Sequence, residues 1–449
     1  MKKTIAFILL FLAAFQQASA TKRFVDPNVI PNTIPNVYVT PAAAFYQINN
    51  GDSVLIKPGN YNIGNLYCSK SFTMMPDTIN GIVTLNGNFY LISPGYLKIC
   101  NINLNGGFSL NGGGACYFIG VICNSLDANL GTKLVLINCS IGGDLVSTFS
   151  ENEILKTQIA GTCSFYRGNF IASKTQNLKV GEGTGQYNDT INKNLIVADT
   201  IEGYFDYRCQ DRISVIANNL INELDLYAWN HTVTKQNLIW NNEFYNNSRF
   251  VIAQGNVTAY NLEFSNNVFS SFNIPSDISK TSWQGNCGCS PNSIPLTDWL
   301  IWANPNYRQF QNYQNTCGGW NNWCYFHLQL NFSNQLSFAT FPITDVPGIF
   351  KWTYNGFLLT GSGNGVYPFT NIAGTTNIVD AGNPDPKYMD IDMTVNDRGR
   401  LGGPYSILNY EPALNPSNGK AYIYDIELPD VINSPTQPIQ IKSKGYHRN

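Results

Sequence analysis

A series of asparagine residues recurs along the central part of the chain and constrains the fold more than any other feature. The spacing is roughly 23 to 25 positions, and each asparagine borders a short apolar run rich in β-branched or aromatic residues. The series comprises Asn169, Asn194, Asn219, Asn242 and Asn267. A repeat of this length indicates units that bury their apolar face only by stacking on one another. Since the runs are short and bounded by Asn and Gly turns, they predict strands and not helices.

The predicted fold is therefore all-β, a parallel β-helix or solenoid in which each repeat forms one coil. Strands of successive coils lie about 4.8 Å apart, so equivalent side chains form columns along the helix axis. The asparagine series is expected to form one such column, because stacked side-chain amides hydrogen-bond along the axis.

The N-terminus has the three parts of an export signal. Lys2 and Lys3 supply a positive segment, and an apolar segment runs over residues 5–15. The triplet at residues 18–20, Ala-Ser-Ala, then matches a small-residue cleavage site. Cleavage near Ala20 predicts a protein that is secreted, periplasmic or held at the cell surface. No later stretch approaches about 18 consecutive apolar residues, so membrane insertion is not expected.

Charge and composition exclude other classes of partner. The net charge is −2 and no basic stripe is present, so nucleic-acid binding is not expected. Charged residues make up only 12% of the chain, about half the usual share. Hydrophobic residues at 43% supply enough apolar surface for a packed core, and a monomer is expected.

Two motifs carry a resemblance to a known family. One is GDSVLIKPGNY at residues 51–61, which resembles the first coil of secreted β-helix proteins of the pectin-lyase-like class. The other is DIDMTVNDRGRLGGPY at residues 390–405, which resembles the closing element of exported bacterial β-helix repeat proteins. The resemblance implies a right-handed, single-stranded parallel β-helix. It covers most of the mature chain as architecture, but only these two strings as motifs.

The chain is expected to divide into four parts. Residues 1–20 form the signal peptide, and residues 21–49 form an N-terminal lead-in and cap. Residues 50–379 form the β-helix, with a loop-rich, aromatic and cysteine-rich insertion at about 280–335. Residues 380–449 form a closing tail with a small β element. This capping element is predicted to cover the open end of the coil stack, where strand edges are otherwise exposed.

The best cluster of ionisable groups lies in the central coils. Alignment on the asparagine series places Asp206 over His231, with Arg208 in the same strand, and these three are the candidate catalytic residues. A carboxylate beside a histidine poises the ring as a base near neutral pH, while the arginine would bind a substrate carboxylate. Candidate substrate-binding residues nearby are Asp211, Asp225 and Tyr227. The alternative is that these charges only solvate one face of the stack.

The functional class stays open between three readings. The pectin-lyase-like family includes lyases with calcium-binding acids and hydrolases with clustered aspartates, but neither motif is present whole. The chain is therefore expected to bind a polysaccharide or cell-surface glycan, or to have a surface-structural role. The enzymatic alternative is a polysaccharide lyase or glycoside hydrolase that acts on a uronate-containing polymer near Asp206 and His231. A rigid module of the cell envelope is the third reading.

The insertion and the tail each allow two interpretations. Trp320 and Trp323 are candidate substrate-binding residues on a sugar-stacking platform, or else form a satellite core under a loop. The cysteines of the insertion favour two disulfides over a zinc site in an exported protein; they are Cys287, Cys289, Cys317 and Cys324.

No metal or other cofactor is assigned, although three tail carboxylates are weak candidates for Ca²⁺. They are Asp390, Asp392 and Asp397. Since Asp also serves turns, a purely structural role in the tail is favoured. The cysteines of the strand-rich region are read as buried thiols that act as small apolar residues.

Overall fold

The computed structural model confirms a parallel β-helix. Parallel strands stack as a β-solenoid of about eight turns, and few helices are present in the described part. The structure describes residues 20–31, 33–149, 151–181, 193–209, 213–228, 236–245, 249–254, 261–271, 283–285, 324–329, 350–353, 356–359, 380–390, 393–406, 422–427 and 442–446.

The chain divides into two compact units. The first comprises Met1–Thr190 and Glu202–Arg208, and the second comprises Ile191–Ile201 and Cys209–Asn449.

Among the described residues up to 180, the elements are one short helix and fifteen strands. They are β1 Lys22–Val25, β2 Val37–Tyr38, α1 Pro41–Tyr46, β3 Asp52–Ile56, β4 Gly59–Cys68, β5 Phe72–Pro76, β6 Val83–Ile92, β7 Tyr96–Cys100, β8 Ile102–Ile119, β9 Ile122–Ile137, β10 Ser140–Ile141, β11 Leu145–Ser147, β12 Glu151–Leu155, β13 Gln158–Phe165, β14 Gly168–Ile171 and β15 Lys174–Val180.

In the described residues beyond 180 the elements are strands and a 3₁₀ turn at Pro386–Tyr388. They are β16 Lys193–Val197, β17 Thr200–Cys209, β18 Ile213–Ala217, β19 Leu220–Ala228, β20 Gln236–Trp240, β21 Glu243–Tyr245, β22 Arg249–Gln254, β23 Asn261–Ser265, β24 Val268–Ser271, β25 Trp283–Gly285, β26 Cys324–Gln329, β27 Phe350–Thr353, β28 Gly356–Leu359, β29 Tyr422–Glu427 and β30 Lys442–Tyr446.

Continuous columns of apolar side chains form the core of the first unit. In one parallel sheet the paired residues are Val54, Met74, Ile99, Phe118, Leu136, Ile154 and Phe170. Each of them is at most 1% exposed. Burial of such a side chain contributes about 1.5 to 3 kcal/mol, so the stacked columns are the main source of stability.

The lead-in segment belongs to the β-helix. Strand β1 pairs in parallel with both β2 and β3. Helix α1 begins after Thr40, whose hydroxyl accepts a hydrogen bond from the backbone nitrogen of Ala43. The ring of Phe45 lies 5.1 Å from the rings of both Phe72 and Phe89. The short helix therefore covers apolar side chains of the first coils.

One corner of the coils repeatedly uses the same tight turn. At this corner a single residue adopts φ between 49° and 63°, the left-handed region that Asn and Gly tolerate best. These turn residues are Asn101, Gly120, Asn138, Lys156 and Ala172 in the first unit, and Ala198, Asn218, Asn241 and Asn266 in the second.

The residue that follows each turn residue is buried, and we call these residues the corner column. In the first unit they are Ile102, Val121, Cys139, Thr157 and Ser173. In the second unit they are Asp199, Asn219, Asn242 and Asn267. The corner thus carries apolar, then thiol and hydroxyl, side chains in the first unit, and acid and amide side chains in the second.

The predicted asparagine column is correct for three of its five members. The side-chain nitrogen of Asn219 donates to the side-chain oxygen of Asn242 at 3.0 Å, and Asn242 donates to Asn267 in the same way at 3.0 Å. Asn169 instead pairs with Glu153, and Asn194 pairs with Ser214.

Unequal coil lengths explain this drift. The turn residues Lys156 and Ala172 are only 16 positions apart, whereas Asn241 and Asn266 are 25 apart. A constant spacing in sequence therefore does not keep one position in register.

The second unit contains parallel coils and an antiparallel departure from them. Strands β18, β20, β23 and β27 pair successively in parallel, as do β21, β24 and β28. Strand β22 pairs antiparallel with β26, which pairs antiparallel with β25. Parallel pairing resumes at Phe350 after this interruption. Strands β29 and β30 form a separate antiparallel pair.

The segment at residues 380–406, which we call the tail segment, contacts the side of the second unit. Its backbone and side chains bond to the turn residues of three successive coils. The backbone nitrogen of Asn383 donates to Asn266 at 2.7 Å, and Asn218 donates to the Arg400 carbonyl at 3.0 Å. The fully buried Tyr388 ring lies 4.7 Å from the Trp240 ring. These contacts run along the coils, and the cover over the open end of the stack stays a prediction.

Candidate functional site

The structure describes the side chain of only one of the three candidate catalytic residues. Asp206 lies in β17, in the first unit, and is 9% exposed between the buried Phe205 and Tyr207. Arg208 follows in the same strand, but its side chain lies outside the described part, as do Asp211 and His231 entirely. The contact between Asp206 and His231 therefore stays a prediction.

The other predicted binding residues are placed only in part. Asp225 and Tyr227 lie in β19, and the backbone of Tyr227 pairs with Ala253 of β22. Their side chains lie outside the described part, and so do Trp320 and Trp323.

The tail carboxylates bind backbone groups. The carboxylate of Asp390 accepts hydrogen bonds from the backbone nitrogens of Asp397, at 3.0 Å, and Gly403. The carboxylate of Asp397 accepts one from the backbone nitrogen of Asp380 at 2.8 Å. Asp392 lies outside the described residues, among which no group of three or more His, Cys, Asp or Glu side chains is arranged to hold a metal. This geometry matches the structural role of Asp in turns.

Six cysteines of the first unit form no disulfide. They are Cys68, Cys100, Cys116, Cys123, Cys139 and Cys163. Burial raises the pKa of Cys116, Cys123 and Cys139 to about 12, so these thiols stay protonated and unreactive near neutral pH. The predicted disulfides of the insertion join Cys287, Cys289, Cys317 and Cys324. The first three lie outside the described part, and so does the side chain of Cys324, the first residue of β26.

A surface that the sequence analysis did not single out is the outward side of the sheet formed by β4, β6 and the first half of β8. Its side chains alternate with buried core residues along each strand. We call this surface the neutral face. Its residues are Asn60, Asn62, Asn65, Tyr67, Thr84, Asn86, Asn88, Tyr90, Asn103, Asn105, Ser109 and Asn111.

Amide side chains of the neutral face bond to one another across the strands. The side-chain nitrogen of Asn105 donates to the side-chain oxygen of Asn86 at 2.8 Å. Asn88 donates in the same way to Asn65 at 3.2 Å. The bonds fix neighbouring amides at the strand spacing of about 4.8 Å, so a regular array of donors and acceptors faces the solvent.

Two tyrosines of the neutral face stack on each other. Tyr67 and Tyr90 are directly paired, with ring centroids 4.7 Å apart and ring planes 12° from parallel. Tyr67, in the first strand of the face, is 64% exposed. An exposed ring of this kind combines an apolar surface with a hydroxyl group, which suits contact with a partly polar ligand.

The neutral face carries no charged residue among its twelve outward side chains. The first charged residue along this sheet is Asp127 of β9, which is paired with Ser109 and accepts a hydrogen bond from Asn129. Alternation of polar and apolar residues at Asn60–Asn62 and Asn103–Asn105 was the sequence signal for this surface.

A second polar cluster lies where β9 pairs with β12, and its lysine forms ion pairs with two glutamates. Lys133 lies 2.9 Å from Glu153 and 3.4 Å from Glu151. Burial acts to lower the pKa of Lys133, but the hydrogen bonds and charges of the two glutamates outweigh it and raise the pKa. The lysine therefore stays protonated and serves as their partner.

Comparison with known proteins adds no assignment to these surfaces. No family model, no curated protein and no solved structure matches the chain. In the described part, no helix has the length and hydropathy of a membrane span. The resemblance to the pectin-lyase-like class therefore stays a prediction, and a shared fold by itself would not assign an activity.

Proposed function

We propose that this protein binds a neutral polysaccharide along the neutral face. The observation that supports the proposal is the combination of amide, hydroxyl and tyrosine side chains on three adjacent coils without any charge. Each asparagine amide offers two donors and an acceptor, which are the complements of sugar hydroxyl groups. The predicted export signal would bring this face into contact with extracellular glycans.

The absence of charge on this face favours a neutral polymer over a uronate-containing one. Recognition of carboxylates characteristically uses Arg or Lys, because charge-assisted hydrogen bonds are the strong ones. The neutral face has neither residue, and the chain's net charge of −2 gives a polyanion no general attraction. The uronate-binding role suggested for the Asp206 region is therefore the second choice.

The rigidity of the face favours binding. Cross-strand amide bonds and the stacked tyrosines hold the contacting groups in place before a ligand arrives. Because little side-chain freedom remains to be lost, weak contacts spread over several coils add up to useful affinity. Tyr67 supplies the most exposed aromatic surface for a pyranose ring.

Affinity electrophoresis tests the proposal with gels that contain neutral glucans, mannans or xylans, or the uronate polymers pectate and alginate. We expect retention by at least one neutral polymer, and loss of that retention in the Tyr67→Ala and Tyr90→Ala variants. The matched control is Tyr46→Ala, which removes a tyrosine that is 86% exposed on α1 and is not one of the twelve residues of the neutral face.

Two results would contradict glycan binding at this face. One is retention by uronate polymers alone, and the other is retention that Tyr67→Ala leaves unchanged. Release of unsaturated uronate or new reducing ends, abolished by His231→Ala, would instead establish the enzymatic alternative at the central coils.

A further inference from the structure

Strand β3 of the β-helix begins with a buried carboxylate that has several donors around it. Asp52 is 1% exposed, and one of its oxygens lies 2.6 Å from Nε of Arg23. The same oxygen accepts a hydrogen bond from the backbone nitrogen of Asn49 at 2.8 Å. The other oxygen accepts one from the backbone nitrogen of Thr21 at 2.9 Å. Arg23 in turn donates to the hydroxyl of Tyr38 at 2.6 Å.

Thr21 is also the residue directly after the predicted signal cleavage site. Its carbonyl accepts a hydrogen bond from the backbone nitrogen of Ser53 at 3.0 Å, so both of its backbone groups are held by the region around β3. Ala20, the residue before it, is exposed. The Ala20–Thr21 peptide bond therefore joins an exposed residue to one whose nitrogen already contacts a buried carboxylate.

We propose that removal of the signal peptide after Ala20 completes a buried ion-pair cluster, in which the new α-ammonium group of Thr21 becomes a cationic partner of Asp52. Hydrolysis by an endopeptidase breaks the bond between the Ala20 carbonyl carbon and the Thr21 nitrogen. The oxygen of water goes to the Ala20 carboxylate, and the Thr21 nitrogen takes up protons to become an ammonium group. This inference does not depend on the proposed glycan binding.

The new charge strengthens a contact that exists before cleavage. A neutral backbone N–H already donates to Asp52, and the ammonium group replaces it with a charge-assisted hydrogen bond, roughly twice as strong. The charge of Arg23 opposes the ammonium group, but Arg23 bonds the other carboxylate oxygen, whereas Thr21 contacts its oxygen directly. Attraction to Asp52 therefore dominates, and processing tightens the attachment of β1 to β3.

Few other ionisable groups on the described elements contact this cluster, so the ammonium group is expected to dominate the pH dependence of stability near neutral pH. On the described elements that contact Asp52, the charged or titratable groups are Arg23 and, through it, Tyr38. The turn at Asn49 and the paired residue Phe72 of β5 are uncharged. Lys22, the neighbour of Thr21 in β1, is exposed.

The sign of the pH effect follows from linkage. The ammonium group is expected to have a higher pKa in the folded protein than its usual value of about 7.7 to 8.0. A raised folded-state pKa gives stability that is complete below the unfolded-state pKa and is lost as the pH rises through the folded-state pKa. The gain in stability of the processed chain over the unprocessed one should therefore be largest below about pH 7.

The test compares two chains that differ by one residue. One begins at Thr21, and the other keeps Ala20, which restores the neutral amide at Thr21 and moves the charge away. At pH 6 we expect urea unfolding to give the chain beginning at Thr21 an unfolding equilibrium constant about tenfold smaller. At pH 10.5 the difference should disappear, because the ammonium group is then deprotonated.

Two substitutions identify the partner. Asp52→Asn should abolish the difference between the two chains at pH 6, while Asp26→Asn, which removes a half-buried carboxylate bonded to Lys57, should preserve it. If Asp52→Asn prevents folding, the comparison of the two unsubstituted chains still decides. Equal stabilities at pH 6, or an exported protein whose N-terminal residue is not Thr21, would overturn the proposal.

Discussion

The side-chain nitrogen of Asn241 lies 2.7 Å from the side-chain oxygen of Asn396, a residue 155 positions later in the chain. Asn241 is a left-handed turn residue, so its backbone shapes the corner while its side chain reaches the tail segment. Asn218 and Asn266 do the same in the neighbouring coils. One residue type therefore serves both the turn and the attachment of the tail segment.

The first prediction separates these two roles. Asn241→Ala should destabilise the second unit by about 2 to 4 kcal/mol, since it loses the bonds to Asn396 and the Asp397 carbonyl and places alanine in a left-handed conformation. The control, Asn101→Ala, has the same turn conformation at an exposed site and should cost about 1 to 2 kcal/mol. Urea unfolding measures both, and equal losses would contradict a role in tail attachment.

The second prediction concerns Gly403 of the tail segment. Its φ is +74°, and an added Cβ would lie 2.9 Å from Nδ2 of Asn396 and 3.1 Å from Oδ1 of Asn241. Gly403→Ala should therefore lower the free energy of unfolding by more than the left-handed backbone conformation alone would. It should also expose the tail segment to limited proteolysis. Gly64→Ala is the control, because Gly64 has φ +56° with no atom within 4 Å of an added Cβ. Similar proteolysis of both variants would argue against the close contact.

The third prediction is acid sensitivity through Asp52. Burial acts to raise its pKa, but hydrogen bonds from Asn49 and Thr21 and the interaction with Arg23 outweigh it and lower the pKa. A lowered folded-state pKa gives stability that is complete above the unfolded-state value of about 3.9 and is lost as the pH falls through the folded-state value. Asp52→Asn should flatten this loss in urea midpoints between pH 6 and pH 2. The exposed Asp77→Asn serves as the control, and an unchanged acid profile for Asp52→Asn would refute the prediction.

The fourth prediction compares two ion pairs. Lys133→Met leaves Glu153, whose side chain is only 12% exposed, without its cation, and should cost about 1 to 3 kcal/mol. Lys174→Met breaks the ion pair between Lys174 and Glu202. Because these two side chains are 51% and 41% exposed, its loss should cost at most about 1 kcal/mol. Thermal or urea unfolding distinguishes the two, and a larger loss for Lys174→Met would be inconsistent with this ranking.

The β-helix was predictable because its sequence signals are local. The register of its side-chain columns was not predictable. Short apolar runs and Asn or Gly turns specify strands and corners within a few residues of sequence. Register depends on the length of every coil, which is why Asn194 pairs with Ser214 and lies outside the column of Asn219.

The neutral face and the attachment of the tail segment escaped prediction for the same reason. The contact of Tyr67 with Tyr90 depends on an irregularity between Asn62 and Gly64 that shifts the register of β4. The bond between Asn241 and Asn396 joins distant parts of the chain with no sequence pattern in common.

The amides of the corner column all point the same way. The side-chain oxygen of Asn242 accepts from the backbone nitrogen of Asn219, and Asn267 accepts in turn from Asn242. In both pairs, the side-chain oxygen of the later asparagine accepts a hydrogen bond from the backbone nitrogen of the asparagine one coil earlier. A duplicated coil that carries the paired asparagines would continue these bonds, but it would separate turn residues that the tail segment holds together. The tail segment therefore limits the number of coils between Asn218 and Asn266, although the bonds of the corner column alone would allow more.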